Sequence, residues 1–475
     1  MKRSSATALA LALVLSLSAC GTSSDVPPQS SSEGQNALQS TPSAEIEASE
    51  TTSSAAEEEP KGKLGKFSET ATIEETVLID EDDIKITAKE LVYTGGLAEV
   101  KLTIENNSDQ DLSFLCATIS YCCNSVNGYM AGEGYLNCEV AAGKKANDSI
   151  SFNTDELLLH GITEISDIEL GFFTRDEEYN YIYYPPCQIK TSAFEHYDYS
   201  ENSYQEIITS NAAMNTFDYD MTYFSTDELY NENGVKLLSS GIMVNSDGEP
   251  ALLVELENSN DSRIDMSIAD IAINGLVVSS STWSCKTINA GKRIIMEVDL
   301  SSALDSQYWD IYGIKEVGSV SFTLQQDNAD GDEITEETPI EIAVPKTKAE
   351  FDRTGKEIYN SNELRIVYKT IVEDTSEYSL YMPVLLLAEN IGEKTLNIED
   401  IYDSLSVNGY MTDYVCYGKE IKSGESAVLE ILIEESSLED NDIGSASEIN
   451  EVEIGFEIKS GSNTIDEPYV TISYE

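Results

Sequence analysis

Val-Asn-Gly-Tyr-Met occurs at 126–130 and again at 407–411, with a degraded copy, Ile-Asn-Gly-Leu-Val, at 273–277. Each copy is preceded by an acidic-Asn element: Glu105-Asn106-Asn107, Glu257-Asn258-Ser259 and Glu389-Asn390-Ile391. Each is followed by a glycine turn, at Gly143, Gly291 and Gly424. From the repeat Asn to that Gly the spacing is 16, 17 and 16 residues. The chain is therefore one unit of roughly 115 residues used three times, each long enough for its own core.

Within a unit the pattern is strand and turn throughout. Residues 357–359, 360–363 and 364–368 read as strand, polar turn and strand, and 77–86 and 229–237 read the same way. A longer apolar strand then runs into the Glu-Asn element, whose chemistry suits a turn. Asn-Gly between β-rich runs is a strong hairpin signal, because both central residues must take positive φ. That turn accounts for Asn127 and Asn408 without any ligand.

After the Gly turn comes a period-2 strand, such as 427–433 or 294–300. Hydroxyl-bearing acidic patches follow at 154–157, 301–304 and 436–439, where a Ser or Thr side chain can cap a short helix. Further strands at 168–172, 320–324 and 452–456 lead to a closing strand such as 469–473. Seven or eight short strands with so little helix imply two antiparallel sheets face to face. The expected fold is all-β: three tandem immunoglobulin-like antiparallel β-sandwich domains, at 67–191, 229–346 and 347–475. The Cys…Trp…Cys hallmark of antibody-type domains is missing. Residues 192–228 do not repeat. They are Tyr-rich and acidic, and read either as a connector or as extra edge strands on the second domain.

The beginning of the chain speaks to location. Lys2 and Arg3 precede an apolar run at 6–17, too short for a stable membrane span. Leu17-Ser18-Ala19-Cys20 then marks a signal peptide over 1–19. This ending resembles the bacterial lipoprotein signal, and the resemblance implies a diacylglyceryl group on Cys20. Residues 20–66 are rich in Ser, Thr, Glu, Ala and Pro, with no aromatic residue before Phe67. Such a segment buries too little apolar surface to order itself. As a flexible tether it would reach roughly 35–40 Å, clear of the lipid headgroups. The expectation is an extracytoplasmic protein held by lipid on the outer face of the cell membrane.

The charge balance is 28 − 87 = −59, spread over all three repeats. It keeps the surface solvated and excludes nucleic acid, which needs a basic footprint. Divalent cations such as Ca²⁺ could be weakly attracted. The densest acidic clusters, 80–83 and 327–333, lack the EF-hand ligand spacing and sit where hairpin turns are expected. No metal or cofactor site is expected.

With Cys20 assigned to the lipid, seven cysteines remain: Cys116, Cys122, Cys123, Cys138, Cys187, Cys285 and Cys416. An odd number cannot all pair internally. Cys138, Cys285 and Cys416 occupy similar places in successive repeats and read as small buried hydrophobes, far apart in a string of domains. A Cys116–Cys138 bridge is conceivable if the Asn127-Gly128 turn joins their strands. Cys122-Cys123 should point to opposite faces of a strand.

The phrases around Ile104-Glu105-Asn106-Asn107-Ser108, Val-Asn-Gly-Tyr-Met and Ala142-Gly143-Lys144-Lys145 resemble the repeated extracytoplasmic domain of lipoproteins from Gram-positive, Clostridia-like bacteria. The resemblance covers about three quarters of the chain and is weaker in the second repeat. It implies fold and location, and carries no catalytic or binding residue.

No hydrolase, P-loop, zincin or dinucleotide motif is present. The two histidines, His160 and His196, are not repeated. His160 follows Leu157-Leu158-Leu159 and reads as a helix-end residue, and His196 lies in the unrepeated segment. The sequence does offer an aromatic run. Tyr179, Tyr181 and Tyr183 share one face of a strand, with Tyr184 beside them. Exposed, the three would form a platform for a glycan or protein partner. Buried, they would be ordinary strand residues. The leading expectation is a non-catalytic surface protein that binds an extracellular ligand or partner. The rival is a spacer or envelope component without a specific ligand. An enzyme hidden in 192–228 would need His196 in a cleft with paired acids.

Overall fold

A computed structural model describes residues 64–473, except 118–121, 200–202, 281 and 374–379. The signal peptide, Cys20 and nearly all of the tether lie outside the described residues. The described residues form one compact unit.

The expected all-β sandwich is what the chain adopts. In the first repeat, Thr76–Glu81, Ile84–Thr94, Leu97–Asn106 and Lys144–Asn153 form one antiparallel sheet. It faces a second, made of Tyr181–Tyr183, Phe172–Arg175, Leu112–Cys116 and Leu136–Val140. Alternation drives this pairing. Ala98, Val100, Leu102 and Ile104 are fully buried, while the residues between them face outward. Phe114, Phe172 and Leu136 meet them from the opposite sheet in one apolar cluster. Two further clusters fill the second and third repeats.

Two asparagine devices recur in all three repeats. Asn106, Asn258 and Asn390 are buried at the end of equivalent strands. The Asn106 side chain donates to the carbonyls of Gln110 and Val140, both at 2.8 Å. Asn258 donates to Ser262 at 2.9 Å and Ile288 at 3.0 Å, and Asn390 to Lys394 at 2.7 Å and Ile421 at 2.8 Å. Each ties its strand to a strand of the facing sheet. The Asn-Gly turns have φ of 47° and 86° in the first copy, 55° and 80° in the second, and 52° and 84° in the third. These are the positive values a two-residue hairpin requires.

The repeats are not beads on a string. Tyr129–Met130, the arm that follows the first Asn-Gly turn, pairs in parallel with Arg293–Asp299 of the second repeat. Leu276–Val277 does the same with Ser426–Glu434 of the third. These are the only parallel pairings among the described strands. Through them the sheets run on as nine- and ten-stranded sheets across the two boundaries. Met130 is buried in the second repeat's core and Val277 in the third's.

Residues 192–228 are both alternatives at once. They supply the short helices Ser203–Ile208 and Asn211–Phe217, then the edge strand Tyr219–Ser225 on the nine-stranded sheet. Helix Thr154–Leu159 is capped one residue earlier than expected. Asn153 accepts from Asp155 N, and Asp299 takes this role in the second repeat. In the third, Glu434 makes no side-chain capping bond.

The cysteine expectations need three corrections. None of the seven forms a disulfide among the described residues. Cys116 faces Leu136 and Cys138 faces Phe114 on adjacent strands, and the Asn127-Gly128 turn joins a different pair, Ser125–Val126 and Tyr129–Met130. Cys138 is core-facing but Cys285 is exposed, because it sits one position out of step on the equivalent strand and so points to the other face. Cys122 and Cys123 lie outside any strand.

Candidate functional site

The aromatic run lies on the hairpin of Phe172–Arg175 and Tyr181–Tyr183. Its tip is held by Asp176. The Asp176 carboxylate accepts from the backbone N–H of Glu178 and Asn180, both at 2.9 Å, and from Asn180 Nδ2 at 2.8 Å. These bonds, Asn180's first, hold the Asp176 carboxyl below its ordinary range. Tyr179 takes φ 63° at this tip, which turns the chain back into the edge strand.

Tyr181–Tyr183 pairs only with Phe172–Arg175 among the described residues and is exposed along its length. Tyr181 and Tyr183 stack 6.3 Å apart at an interplanar angle of 20°. Beneath them Phe173, only 4% exposed, stands 5.2 Å from Tyr183 and 6.1 Å from Tyr181. Tyr179 is 69% exposed, with the Arg175 guanidinium 5.4 Å from its ring centre. Of the two readings of these tyrosines, the exposed one is what the fold presents.

Asp109 and Asp111 come from the neighbouring loop. With Asp176, Glu177, Glu178 and Tyr179 they line shallow clefts beside the platform. The combination offers flat aromatic faces beside carboxylates that accept hydrogen bonds. Sequence reading missed Phe173, Arg175, Asp109 and Asp111. Alternation places Phe173 on the same face as Tyr181 and Tyr183 once the hairpin register is known. Asp109 and Asp111 are some 65 residues away in sequence and carry no local signal.

The platform has no counterpart at the equivalent place in the third repeat. In the third, Glu457 replaces Phe173 in the equivalent strand, and Thr464 Oγ1 donates to it at 2.8 Å.

The other candidates take the following places. His160 caps the C-terminus of Thr154–Leu159, as expected. Its ring stands 6.3 Å from Tyr129 and 6.4 Å from Tyr204, and burial lowers its pKa to about 4. His196 ends a short 3-10 turn and is exposed at the surface. Residues 80–83 form a hairpin turn with Asp82 at φ 52° and Asp83 at φ 59°. In the other acidic cluster, Asn328 Oδ1 accepts from the N–H of Asp330 and Asp332, both at 2.9 Å. Both clusters are turns. Among the described residues no three His, Cys, Asp or Glu side chains gather as metal ligands, and no helix is long and apolar enough to cross a membrane.

Asn127 does more than turn the chain. Its Oδ1 accepts from Ser166 N at 2.7 Å and Asp167 N at 3.2 Å, and its Nδ2 donates to Glu164 O at 2.7 Å. Asn274 and Asn408 make the same clamp on Gly318 and Ser319 and on Asn450 and Glu451.

No family model matches the chain. No curated protein matches it either. Solved structures align with it at low identity. A structure described as concerning host cell surface retention of a 1.5-MDa bacterial ice-binding adhesin aligns at 11% identity. It covers 80% of this chain and 90% of its own, with a TM-score of 0.14. A protein of unknown function from Porphyromonas gingivalis W83 aligns at 10% identity over 48% of this chain and 91% of its own, also at 0.14. Red sea bream transglutaminase aligns at 9% identity over 64% and 37%, again at 0.14.

Proposed function

We propose that this chain is a non-catalytic binding protein of the cell surface, anchored by lipid on Cys20 to the outer face of the membrane. In this reading its first repeat presents Tyr179, Tyr181 and Tyr183 to an extracellular glycan. The sequence motif at 17–20 and the aromatic-free tether support the anchor. The observation that carries the binding reading is the asymmetry of the repeats. One hairpin bears an exposed, mutually stacked tyrosine pair, and its counterpart in the third repeat bears Glu457 and Thr464. A spacer would present equivalent surfaces on all three.

A sugar ring stacks its C–H face on an aromatic plane, and neighbouring carboxylates accept its hydroxyl protons. The acidic rim repels anionic ligands, so the glycan is a neutral one. Calorimetric titration of the purified protein with neutral polysaccharide fragments from the envelope tests this. Binding that disappears in Tyr181→Ala/Tyr183→Ala supports it. Absence of binding to every fragment leaves the spacer reading in its place. For the anchor, Cys20→Ala should release the protein from membranes, and continued membrane association of that variant would contradict it.

A further inference from the structure

We propose that copies of this chain join head to tail, the Asn-Gly hairpin of one copy's third repeat adding to the Lys144–Asn153 edge of the next copy. The inference is independent of the glycan reading.

Within the chain each Asn-Gly arm has a partner except the last. Tyr129–Met130 docks on Arg293–Asp299, and Leu276–Val277 docks on Ser426–Glu434. Among the described residues Tyr410–Met411 pairs only with its own hairpin strand Ser406–Val407 and ends its sheet. Each post-glycine strand likewise has a docked arm except the first. Among the described residues Lys144–Asn153 pairs only with Leu97–Asn106 and ends its sheet. The described residues thus hold one unused donor and one unused acceptor of a joint made twice internally.

Burial shows what the docked state changes. Tyr129 and Met130 are each 6% exposed, whereas Tyr410 and Met411, in the identical pentapeptide, are 56% and 62% exposed. Exposed apolar edge residues of this kind are a template for adding another strand.

The two free ends also carry the residues of the first joint. There, Arg293 N donates to Gly128 O at 2.9 Å, and the Arg293 guanidinium lies 5.9 Å from the Tyr129 ring centre while bonding Glu257 at 2.9 Å. Lys292 pairs with Glu169 across the boundary at 3.4 Å. On the free acceptor, Gly143-Lys144-Lys145 stands where Gly291-Lys292-Arg293 stands. Glu105 opposes Lys145 as Glu257 opposes Arg293, with an ion pair at 2.7 Å. The matching register points the Lys145 N–H outward as it does that of Arg293. On the free donor, Glu453 stands where Glu169 stands, opposite Ser406 as Glu169 is opposite Ser125. Two lysines would meet a glutamate in a chain of net charge −59.

The acceptor face differs in several respects: Ala141 and Thr103 stand where the first joint has Asn289, which donates to Glu169 at 2.8 Å, and Glu255, which accepts from Tyr129 Oη at 3.2 Å. Lys101 and Asn147 replace Leu253 and Ile295, which pack toward the first repeat's core. Less apolar area is available, which suits a reversible contact between separate molecules. Because donor and acceptor are different surfaces, the contact is heterologous and does not close, so it builds a linear filament.

Sedimentation velocity of the purified chain from roughly 1 to 500 µM, in low salt where lysine–glutamate attraction is weakly screened, tests this. Average mass should rise past the dimer without a plateau. Met411→Asp, which blocks the donor, and Lys144→Glu/Lys145→Glu, which blocks the acceptor, should each weaken association at least about tenfold. Mixed in equal amounts, the two variants keep one working end each and should stop at dimers. Circular dichroism checks that each variant folds, with Tyr410→Lys and Ser149→Lys as replacements if one does not. A wild-type chain that stays monomeric throughout overturns the proposal. So does a plateau at the dimer, variants that associate like wild type, or an equimolar mixture that stays monomeric.

Discussion

The backbone N–H of Arg293 donates to the carbonyl of Gly128 at 2.9 Å, and through this contact one repeat's sheet becomes the next one's. The two residues are separated by 165 positions. The consequences can be measured.

Met130 and Met411 occupy the same place in the same pentapeptide, but only Met130 enters another repeat's core. Met130→Ala should cost about 2–4 kcal/mol, from lost burial and the cavity left behind. Met411→Ala should change the stability of the monomer by less than about 0.5 kcal/mol. Urea denaturation of the two variants at low protein concentration checks the contrast.

Asn127→Ala should cost about 2–3 kcal/mol. It leaves the buried N–H of Ser166 without its 2.7 Å acceptor and puts alanine at φ 47°. Asn408→Ala, at a solvent-exposed version of the clamp, should cost about half as much, because water replaces the lost partner. Thermal unfolding of both variants checks the order.

Asn258→Leu removes a buried side chain that donates to Ser262 and Ile288, at 2.9 and 3.0 Å. The carbonyls lose their donor inside the sandwich, and a cost of about 2–4 kcal/mol is expected. Hydrogen exchange should show the loss of protection centred on the strand Ser284–Ile288.

Burial lowers the His160 pKa to about 4, against about 6.5 in the unfolded chain. Between those values the unfolded chain binds a proton that the folded protein does not. Falling pH therefore draws the equilibrium toward unfolding across this window, and stability rises with pH from about 4 to 6.5. In His160→Gln that contribution is gone. Comparing urea midpoints at pH 7.5 and 4.5 should show a smaller acid loss in the variant than in wild type.

Gly161 sits at φ 78°, and a Cβ there would come within 2.6 Å of the Ser203 and Tyr204 backbone. Gly161→Ala should push the helix Ser203–Ile208 off the first repeat, at a cost of about 2 kcal/mol or more. Limited proteolysis should then cut within 192–228 faster than in wild type.

Strand positions and the hairpins were legible because period-2 burial and Asn-Gly turns are local signals. The exposure of Tyr181 and Tyr183 was not, since alternation says that two residues share a face without saying which face meets water. Cys285 shows the same limit at one-residue scale: a shift of a single position on the strand turns a core thiol into an exposed one. The helix caps at Asn153 and Asp299 fall one and two residues before the expected Thr154 and Ser301, because several hydrogen-bonding side chains compete at each helix start.

The sequence by itself determined that this chain builds an all-β sandwich fold from a motif written three times, since repetition and alternation are properties of the residue order. Only the tertiary structure decided that the repeats share sheets, and that identical pentapeptides end up buried at one boundary and bare at the terminus. Backbone edges pair through groups common to every residue, so whether an arm is docked depends on which edge lies beside it.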